Sequence, residues 1–335
     1  MRDVLDTLLE GSDLSVDQAD ELVDEITSGE HDPVLVGALL AALRAKGESF
    51  EEVRGLARGM RRLALAPELD ATGAVDVVGT GGDSSGSLNL STGAALLTAA
   101  AGVRVVKHGN RSMSSQSGSA DVLEQLGVPI PMDEVAAGEF FERHGFTFLF
   151  APYYHPAMGA VVPIRKALGV RTVFNLLGPL INPGSPDFAV IGAWSLDTAR
   201  LMAGALAGSD IRRAFVCYGS NGWDEPTQVA PFHLLDVREG RVDESIVDPI
   251  DLGVDGCAPS DLAGGSPAQN AASLREVFGG KPGAHRHALL IGAGLALQVA
   301  GEVDRLVDGM SVAGAAIDDG RAAGLLNAIG GTSDE

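Results

Sequence analysis

Residues 79–92, GTGGDSSGSLNLST, have the residue types of a turn that binds phosphate. An apolar run precedes them and a helical pattern follows from about Ser91. Glycines let backbone N–H groups approach an anion, and a helix N-terminus adds unpaired donors and a positive dipole end. Asn89, Ser91 and Thr92 place side-chain donors at that helix start. The spacing matches neither the P-loop nor the dinucleotide fingerprint, which disfavours a nucleoside triphosphate or NAD. The bland alternative is a tight turn before a well-capped helix.

Asp83 stands inside this turn, where a bare carboxylate would repel an anion. A cation between the two resolves the conflict, and Mg²⁺ is commonly held by one or two carboxylates plus substrate phosphates. Asp224-Glu225 follows another strand-like run, RAFVCYG, at the end where open α/β sheets bind ligands. Alone the pair reads as a solvated turn; with Asp83 and Ser91 it reads as a metal site. Lys107 begins a second polar run, KHGNRS, at a strand end beside a glycine. A point cation there could neutralise a leaving phosphate. The hydroxyls of Ser114, Ser115, Ser117 and Ser119 come next, in what is otherwise an ordinary serine-rich loop.

The elements that must carry these residues change character along the chain. The first 66 residues read as helices, opened by capping boxes at Ser15-x-x-Gln18 and Ser49-x-x-Glu52 and by Asp32-Pro33. After Pro67 strand-like runs alternate with helical ones: 74–78, 103–109, 146–152, 188–194 and 213–219. That alternation predicts an α/β fold, a small all-helical domain plus a larger domain with a mostly parallel central sheet flanked by helices. FHLLDVREGRVDESIVD reads as a hairpin turning at Arg238-Glu239-Gly240, and helices follow. GGTSDE at the C-terminus reads as frayed. The expected boundary lies near residue 70. Residues 1–70, with about 156–181 returning to them, form the helical unit; 71–155 and 182–335 form the larger one.

The net charge of −21 excludes a general nucleic-acid binder, which needs a dense basic surface. It fits a solvated acidic surface, with salt adaptation as the sharper alternative. Lysine occurs only at Lys46, Lys107, Lys166 and Lys281, so each is conspicuous. Two cysteines, Cys217 and Cys257, make neither a disulfide framework nor a metal cluster. The N-terminus lacks a secretory pattern, and the apolar run near 288–300 is too short to span a bilayer. A soluble cytoplasmic protein is the default expectation.

Together these stretches resemble the anthranilate phosphoribosyltransferase family over nearly the whole chain. The resemblance is carried by GTGGD (79–83), NLST (89–92), KHGNRSMSSQSGSADVLEQLG (107–127), HPAM (155–158), GVRTVFNLLGPLINP (169–183) and WDE (223–225). GGSPAQNA (264–271) is a weaker echo. The resemblance implies a homodimer through the N-terminal helices. It implies transfer of the phosphoribosyl group of phosphoribosyl diphosphate (PRPP) to the amine of anthranilate, with Mg²⁺, in tryptophan biosynthesis. By position, it implies that PRPP is held by Gly79, Gly82, Asp83, Ser87, Asn89, Leu90, Ser91, Thr92, Lys107, His108, Gly109, Asn110, Arg111, Ser112, Met113, Ser114, Ser115 and Ser119. Lys107 would be catalytic, stabilising the leaving diphosphate. Ser91, Asp224 and Glu225 would hold Mg²⁺, and Gly79, Asn110 and Arg165 would contact anthranilate. A guanidinium such as Arg165 can bind the acceptor carboxylate bidentately.

His108 and His155 are candidates for a general base, with packing roles at least as apt. The chain departs from the family at Ser87-Leu88, usually Thr-Phe, and at Trp223, usually Leu. Pro226-Thr227-Gln228 and Gly159-Ala160 also depart, which bears on the metal loop and the acceptor pocket more than on PRPP. Two enzymatic alternatives share this pattern: a related transferase acting on another aromatic amine, and a pyrimidine nucleoside phosphorylase. A nucleic-acid-binding relative would have lost KHGN and gained basic surface, and the chain does neither.

Overall fold

The computed structural model describes residues 1–83, 85–112 and 116–331. Four helices come first: α1 (Arg2–Leu9), α2 (Val16–Thr27), α3 (Pro33–Lys46) and α4 (Phe50–Arg62). Both expected capping boxes form, at Ser15 and Ser49, and Asp32 caps α3 with Pro33 at its first position. Each cap satisfies N–H groups that the first helical turn leaves without partners.

The larger unit then alternates strand and helix. Its elements are β1 (Val75–Gly79), α5 (Leu90–Ala100), β2 (Val105–Gly109), α6 (Ser119–Leu126), α7 (Glu134–His144), β3 (Phe146–Phe150), α8 (Ala151–Tyr154), α9 (Val162–Leu168), α10 (Phe174–Leu177), β4 (Phe188–Gly192), α11 (Leu196–Ala207) and β5 (Arg213–Gly219). β6 (Phe232–Arg238) and β7 (Arg241–Val247) form the hairpin, and α12 (Pro267–Phe278), α13 (Ala284–Val299), α14 (Leu306–Asp318) and α15 (Arg321–Gly330) close the fold. The hairpin turns on Glu239 and Gly240, both with positive φ, the two-residue turn that suits twisted antiparallel strands.

Among the described residues the strands make one sheet in the order β3-β2-β1-β4-β5-β6-β7. The first five are parallel, and β6 and β7 add on antiparallel. From β1 the chain winds outward through β2 and β3, then returns to the other side of β1 at β4. Strand order therefore reverses between β1 and β4, and helices leaving adjacent strands to opposite sides open a crevice at their C-terminal ends. Gly79 and Gly192 are register partners at that end.

The sheet has a core on each face. One contains Val75, Val77, Phe215 and Cys217 with α5, α12 and α13. The other contains Ala189, Ile191, Ala214 and Val216 with α11, and continues into α2, α3 and α4. Val161, Val173, Phe174, Leu176 and Leu177 join this second core, so the segment around α9 and α10 packs with the N-terminal helices.

Two expectations are corrected. The run FTFLFAP leaves the strand at Phe150, because Pro152 has no N–H for a ladder and suits the first turn of α8. α15, in a stretch rich in glycine and alanine, was not expected as a helix. Its burial of Ala322, Leu326 and Ile329 against α5 and α14 supplies what local propensity does not. Of the expected frayed end, residues 332–335 lie outside the described residues.

Helices α2 and α4 cross closely at Gly55, where an added Cβ would stand 2.3 Å from the Val16 carbonyl oxygen. Gly324, exposed on α15, has nothing within 4 Å. Gly55→Ala should cost about 1–3 kcal/mol through overpacking against backbone. Gly324→Ala should be neutral or gain about 0.5–1 kcal/mol from helix propensity. Denaturant unfolding checks both; equal effects would contradict the close crossing.

Candidate active site at the sheet switch point

The glycine turn leaves β1 with Gly81 and Gly82 in the left-handed region, at φ +66 and +72. Gly79 and Gly192 are required for a different reason. A Cβ on Gly79 would lie 2.6 Å from an Asp224 carboxylate oxygen, and one on Gly192 would lie 1.5 Å from the Asp224 carbonyl oxygen. The two glycines therefore open the end of the sheet to the segment 223–225. Asp224 Oδ2 there accepts the Gly81 N–H at 2.5 Å and the Thr80 hydroxyl at 3.4 Å. In return Asp83 Oδ2 accepts the Asp224 N–H at 3.3 Å, and Asp83 Oδ1 accepts from Ser85. Ser87 bridges to Ala263, which ties the far end of the turn to residues before α12.

Helix α5 begins at Leu90, and Asn89 does not cap it with its side chain. Its amide instead donates to the Ser117 carbonyl at 3.0 Å and accepts from Asn270 at 2.8 Å. The Ser91 N–H donates to Glu225 Oε1 at 3.1 Å, and the Thr92 hydroxyl is buried without a hydrogen-bond partner among the described residues. Leu90 places its side chain in the core, leaving its backbone at the helix start. The bland alternative of a well-capped helix does not hold: among the described residues no side chain caps the start of α5, and its Ser91 N–H donates to a carboxylate from elsewhere.

Ser91, Asp224 and Glu225 line a cavity of about 10 Å³, room for one water-sized particle. Burial, with repulsion from Asp83 on Asp224 and from Asp224 on Glu225, pushes both carboxyls well above the usual carboxylate range. A divalent cation would relieve both effects, so these three residues fit Mg²⁺. Among the described residues, no group of three or more His, Cys, Asp or Glu side chains forms a metal cage. Two carboxylates and a hydroxyl leave coordination positions for water and substrate, as Mg²⁺ prefers. Asp83 does not line the cavity; it braces Asp224.

Lys107 lies in the middle of β2, within the expected strand run 103–109 rather than at its end; it is fully buried, and its ammonium donates to the Val77 carbonyl. Asp76, also buried, and Glu225 attract it electrostatically, while burial lowers its pKa. Asp76 was missed by sequence reasoning, since it occupies an apolar strand. Its carboxylate accepts from Asn182 Nδ2 at 2.8 Å and from the His108 N–H at 3.4 Å, and burial raises its pKa to about 6.

His108 Nδ1 lies 3.2 Å from the Gly178 carbonyl, and its ring meets His155 edge to face at 5.1 Å. Burial lowers their pKa values to about 3 and about 4, so both imidazoles are neutral near pH 7. Gly109 leaves room for Ser119, whose hydroxyl donates to the Asn110 carbonyl at 3.1 Å. Arg111 pairs with Asp121 and Glu124 of α6, and the Ser112 N–H also donates to Asp121. Arg111 thus anchors its loop to α6. Met113, Ser114 and Ser115 lie outside the described residues.

The guanidinium of Arg165, on α9, sits 5.5 Å from the Phe174 ring centroid and makes no hydrogen bond or ion pair among the described residues. Burial lowers its pKa. Arg171, just past α9, was given no role from sequence. It donates to the Gly82 carbonyl at 2.5 Å and stacks 4.5 Å from the Trp194 ring centroid. Arg44 of α3 in turn donates to the Arg171 carbonyl, so the glycine turn is strapped to the helical unit.

Comparison with known proteins agrees with this geometry. Residues 71–323 match a family model described as the a/b domain of a glycosyl transferase family, and residues 2–64 match its helical bundle domain. The anthranilate phosphoribosyltransferase of Solibacter usitatus is 43% identical over 96% of this chain and 95% of its own. The crystal structure of anthranilate phosphoribosyltransferase from Thermus thermophilus superposes with a TM-score of 0.92 at 39% identity, covering 98% of both chains. The enzyme from Saccharomyces cerevisiae in complex with PRPP and Mg superposes at 0.89 with 25% identity, covering 97% of this chain and 95% of that one. With two family domains in order and close relatives along its whole length, this chain belongs to the anthranilate phosphoribosyltransferase family.

Proposed function

We propose that this chain transfers the phosphoribosyl group of PRPP to the amine of anthranilate, giving N-(5-phosphoribosyl)anthranilate and diphosphate in tryptophan biosynthesis. The observation that carries the reading is the switch-point crevice. There a left-handed glycine turn, a helix start without a side-chain cap and two crowded carboxylates converge. A diphosphate donor needs both anion-binding N–H groups and carboxylates for a metal; a phosphate-using phosphorylase needs fewer of the latter.

In this reading Gly79, Gly82, Asp83, Ser87, Asn89, Leu90, Ser91 and Thr92 hold PRPP from one side, and Lys107 to Ser115 with Ser119 from the other. Ser91, Asp224 and Glu225 hold Mg²⁺, which supplies positive charge to the diphosphate. The bond from ribose C1 to the diphosphate oxygen breaks as a bond from C1 to the amine nitrogen forms, and the nitrogen then gives up one proton to the released diphosphate or to water. Lys107 is a buried fixed cation that favours charge on the departing oxygen. Gly79, Asn110 and Arg165 place the acceptor, and holding both reactants together supplies much of the acceleration. His108 and His155, neutral and buried, shape the site and are weak bases.

The helical unit, residues 1–70 with about 156–181, is proposed as the dimerisation domain of a cytoplasmic homodimer, with 71–155 and 182–335 as the PRPP-binding domain. Leu9 and Val34, exposed at 67% and 78% on α1 and α3, support an interface there. No helix among the described residues is long and apolar enough to cross a membrane.

Loss of anthranilate fluorescence with PRPP and Mg²⁺ tests the function; turnover with a different aromatic amine alone would keep the reaction class and discard the acceptor. In the same assay Lys107→Met, which preserves bulk, should lower kcat by on the order of 10²-fold, as loss of an oxyanion-stabilising group does. An unchanged rate in a folded variant removes Lys107 from catalysis. Arg165→Gln should raise the anthranilate KM by roughly 10-fold or more, the worth of one charge-assisted bond, with a smaller effect on the PRPP KM. A selective PRPP defect would reverse that assignment. EDTA should abolish turnover and Mg²⁺ restore it, with Glu225→Gln needing more Mg²⁺; activity that persists in EDTA contradicts the metal site.

A further inference from the structure

A second cavity, of about 90 Å³, lies between α4, the N-terminal end of β4 and the C-terminal end of α11. It is lined by none of the glycine turn, the run 107–112, Arg165, Asp224 or Glu225. At one probe-sized volume per 10–15 Å³, it has room for roughly six to nine waters, or a ligand of comparable size.

Two arginines of α4, Arg54 and Arg61, line it, seven residues apart and so on one helix face. They differ in what they do. Arg54 is used by the fold: its Nε donates to the Ala205 carbonyl and its Nη2 to the Gly204 carbonyl, both at 3.1 Å, clamping the end of α11. The Arg61 guanidinium makes no hydrogen bond or ion pair among the described residues, although the residue is partly buried. Asp210 attracts it without reaching ion-pair distance. A guanidinium taken from water without an acceptor is costly, and an anion beside it removes that cost.

The rest of the lining limits what the anion can be. Ala57, Ala189, Ile191 and Leu206 give apolar walls. On the far side the Asp76 carboxylate is already held by Asn182, and Asp187 by the Gly73 N–H and Arg212. With Asp210 nearby as well, a dianion would meet three carboxylates, whereas a monoanion needs one cation. We infer that this cavity binds a small organic monocarboxylate, its head group on Arg61 and its apolar body against Ala57, Ile191 and Leu206.

Benzoate is a suitable probe, with inorganic phosphate as the contrasting oxyanion. Titration calorimetry is done on Arg165→Ala protein, which removes the carboxylate-binding cation of the active site. Benzoate should bind that protein at millimolar concentration, and adding Arg61→Gln should weaken it about 10-fold or more, the loss of one charge-assisted contact. Arg61→Lys should recover part of the affinity, which separates loss of charge from damage to the fold. The proposal is overturned if Arg165→Ala abolishes benzoate binding, or if Arg61→Gln leaves it unchanged. Tighter, Arg61-dependent binding of phosphate would overturn the carboxylate assignment.

Discussion

The Asp224 carboxylate, taken into the glycine turn of a different strand, is the interaction on which the site depends. The carboxylate fills the space a side chain on Gly79 would occupy, and the Asp224 backbone fills that of a side chain on Gly192. Those two glycines pair across β1 and β4, at the point where the sheet reverses its order. Topology opens a crevice there, and glycine lets a third segment enter it. Asp83 then accepts the Asp224 N–H while Asp224 accepts the Gly81 N–H, so turn and segment hold each other. Glu225, next in the chain, reaches the start of α5. One residue pair thereby fixes the ends of β1, β4 and α5 relative to each other.

Charge is placed below this arrangement as well as within it. Lys107 and Asp76 are buried on neighbouring strands, and in each the cost of burial outweighs their mutual attraction. Such a pair is weak support for stability, because well-packed apolar residues would serve the sheet as well. Its value is positional. Asp76 takes up the His108 N–H and the Asn182 amide, and Asn182 also donates to the Val106 carbonyl at 2.8 Å. Lys107 holds the Val77 carbonyl just before the glycine turn. Both strands that lead into the site are thus pinned by polar contacts where apolar packing alone would permit sliding.

The helical caps, the strand alternation and the hairpin turn were legible because each is a local pattern. Ser15 and Gln18, or Glu239 and Gly240, carry their own geometry. The site motifs were legible as residue types: glycines, Asp83, Ser91 and Asp224-Glu225 all come to the crevice. What local pattern could not show is which partners they take over long sequence distances. Arg171 reaches Gly82 across 89 positions and Glu225 reaches Ser91 across 134. Asp76 reads as an interruption in an apolar strand until Asn182 is brought to it. The pairing of Arg111 with Glu124 likewise appears only once the register of α6 is set. α15 is visible through its burial, which no window of its own sequence contains.

The groups that suit a diphosphate and those that suit a cation are the same hydrogen-bonded pairs. Gly81 and Ser91 offer their N–H groups to Asp224 and Glu225, so a phosphate oxygen at either donor competes with a protein carboxylate. A carboxylate displaced from its N–H would be left buried beside another carboxylate, which is unfavourable for two like charges. A cation at the displaced carboxylate removes that penalty. Anion and cation each lower the cost of the other, and by linkage the benefit is reciprocal. On the proposed reading the glycine turn and the acidic pair are halves of a single binding site, and Asp83, at first sight misplaced among anion donors, holds in place the segment that makes the two halves meet.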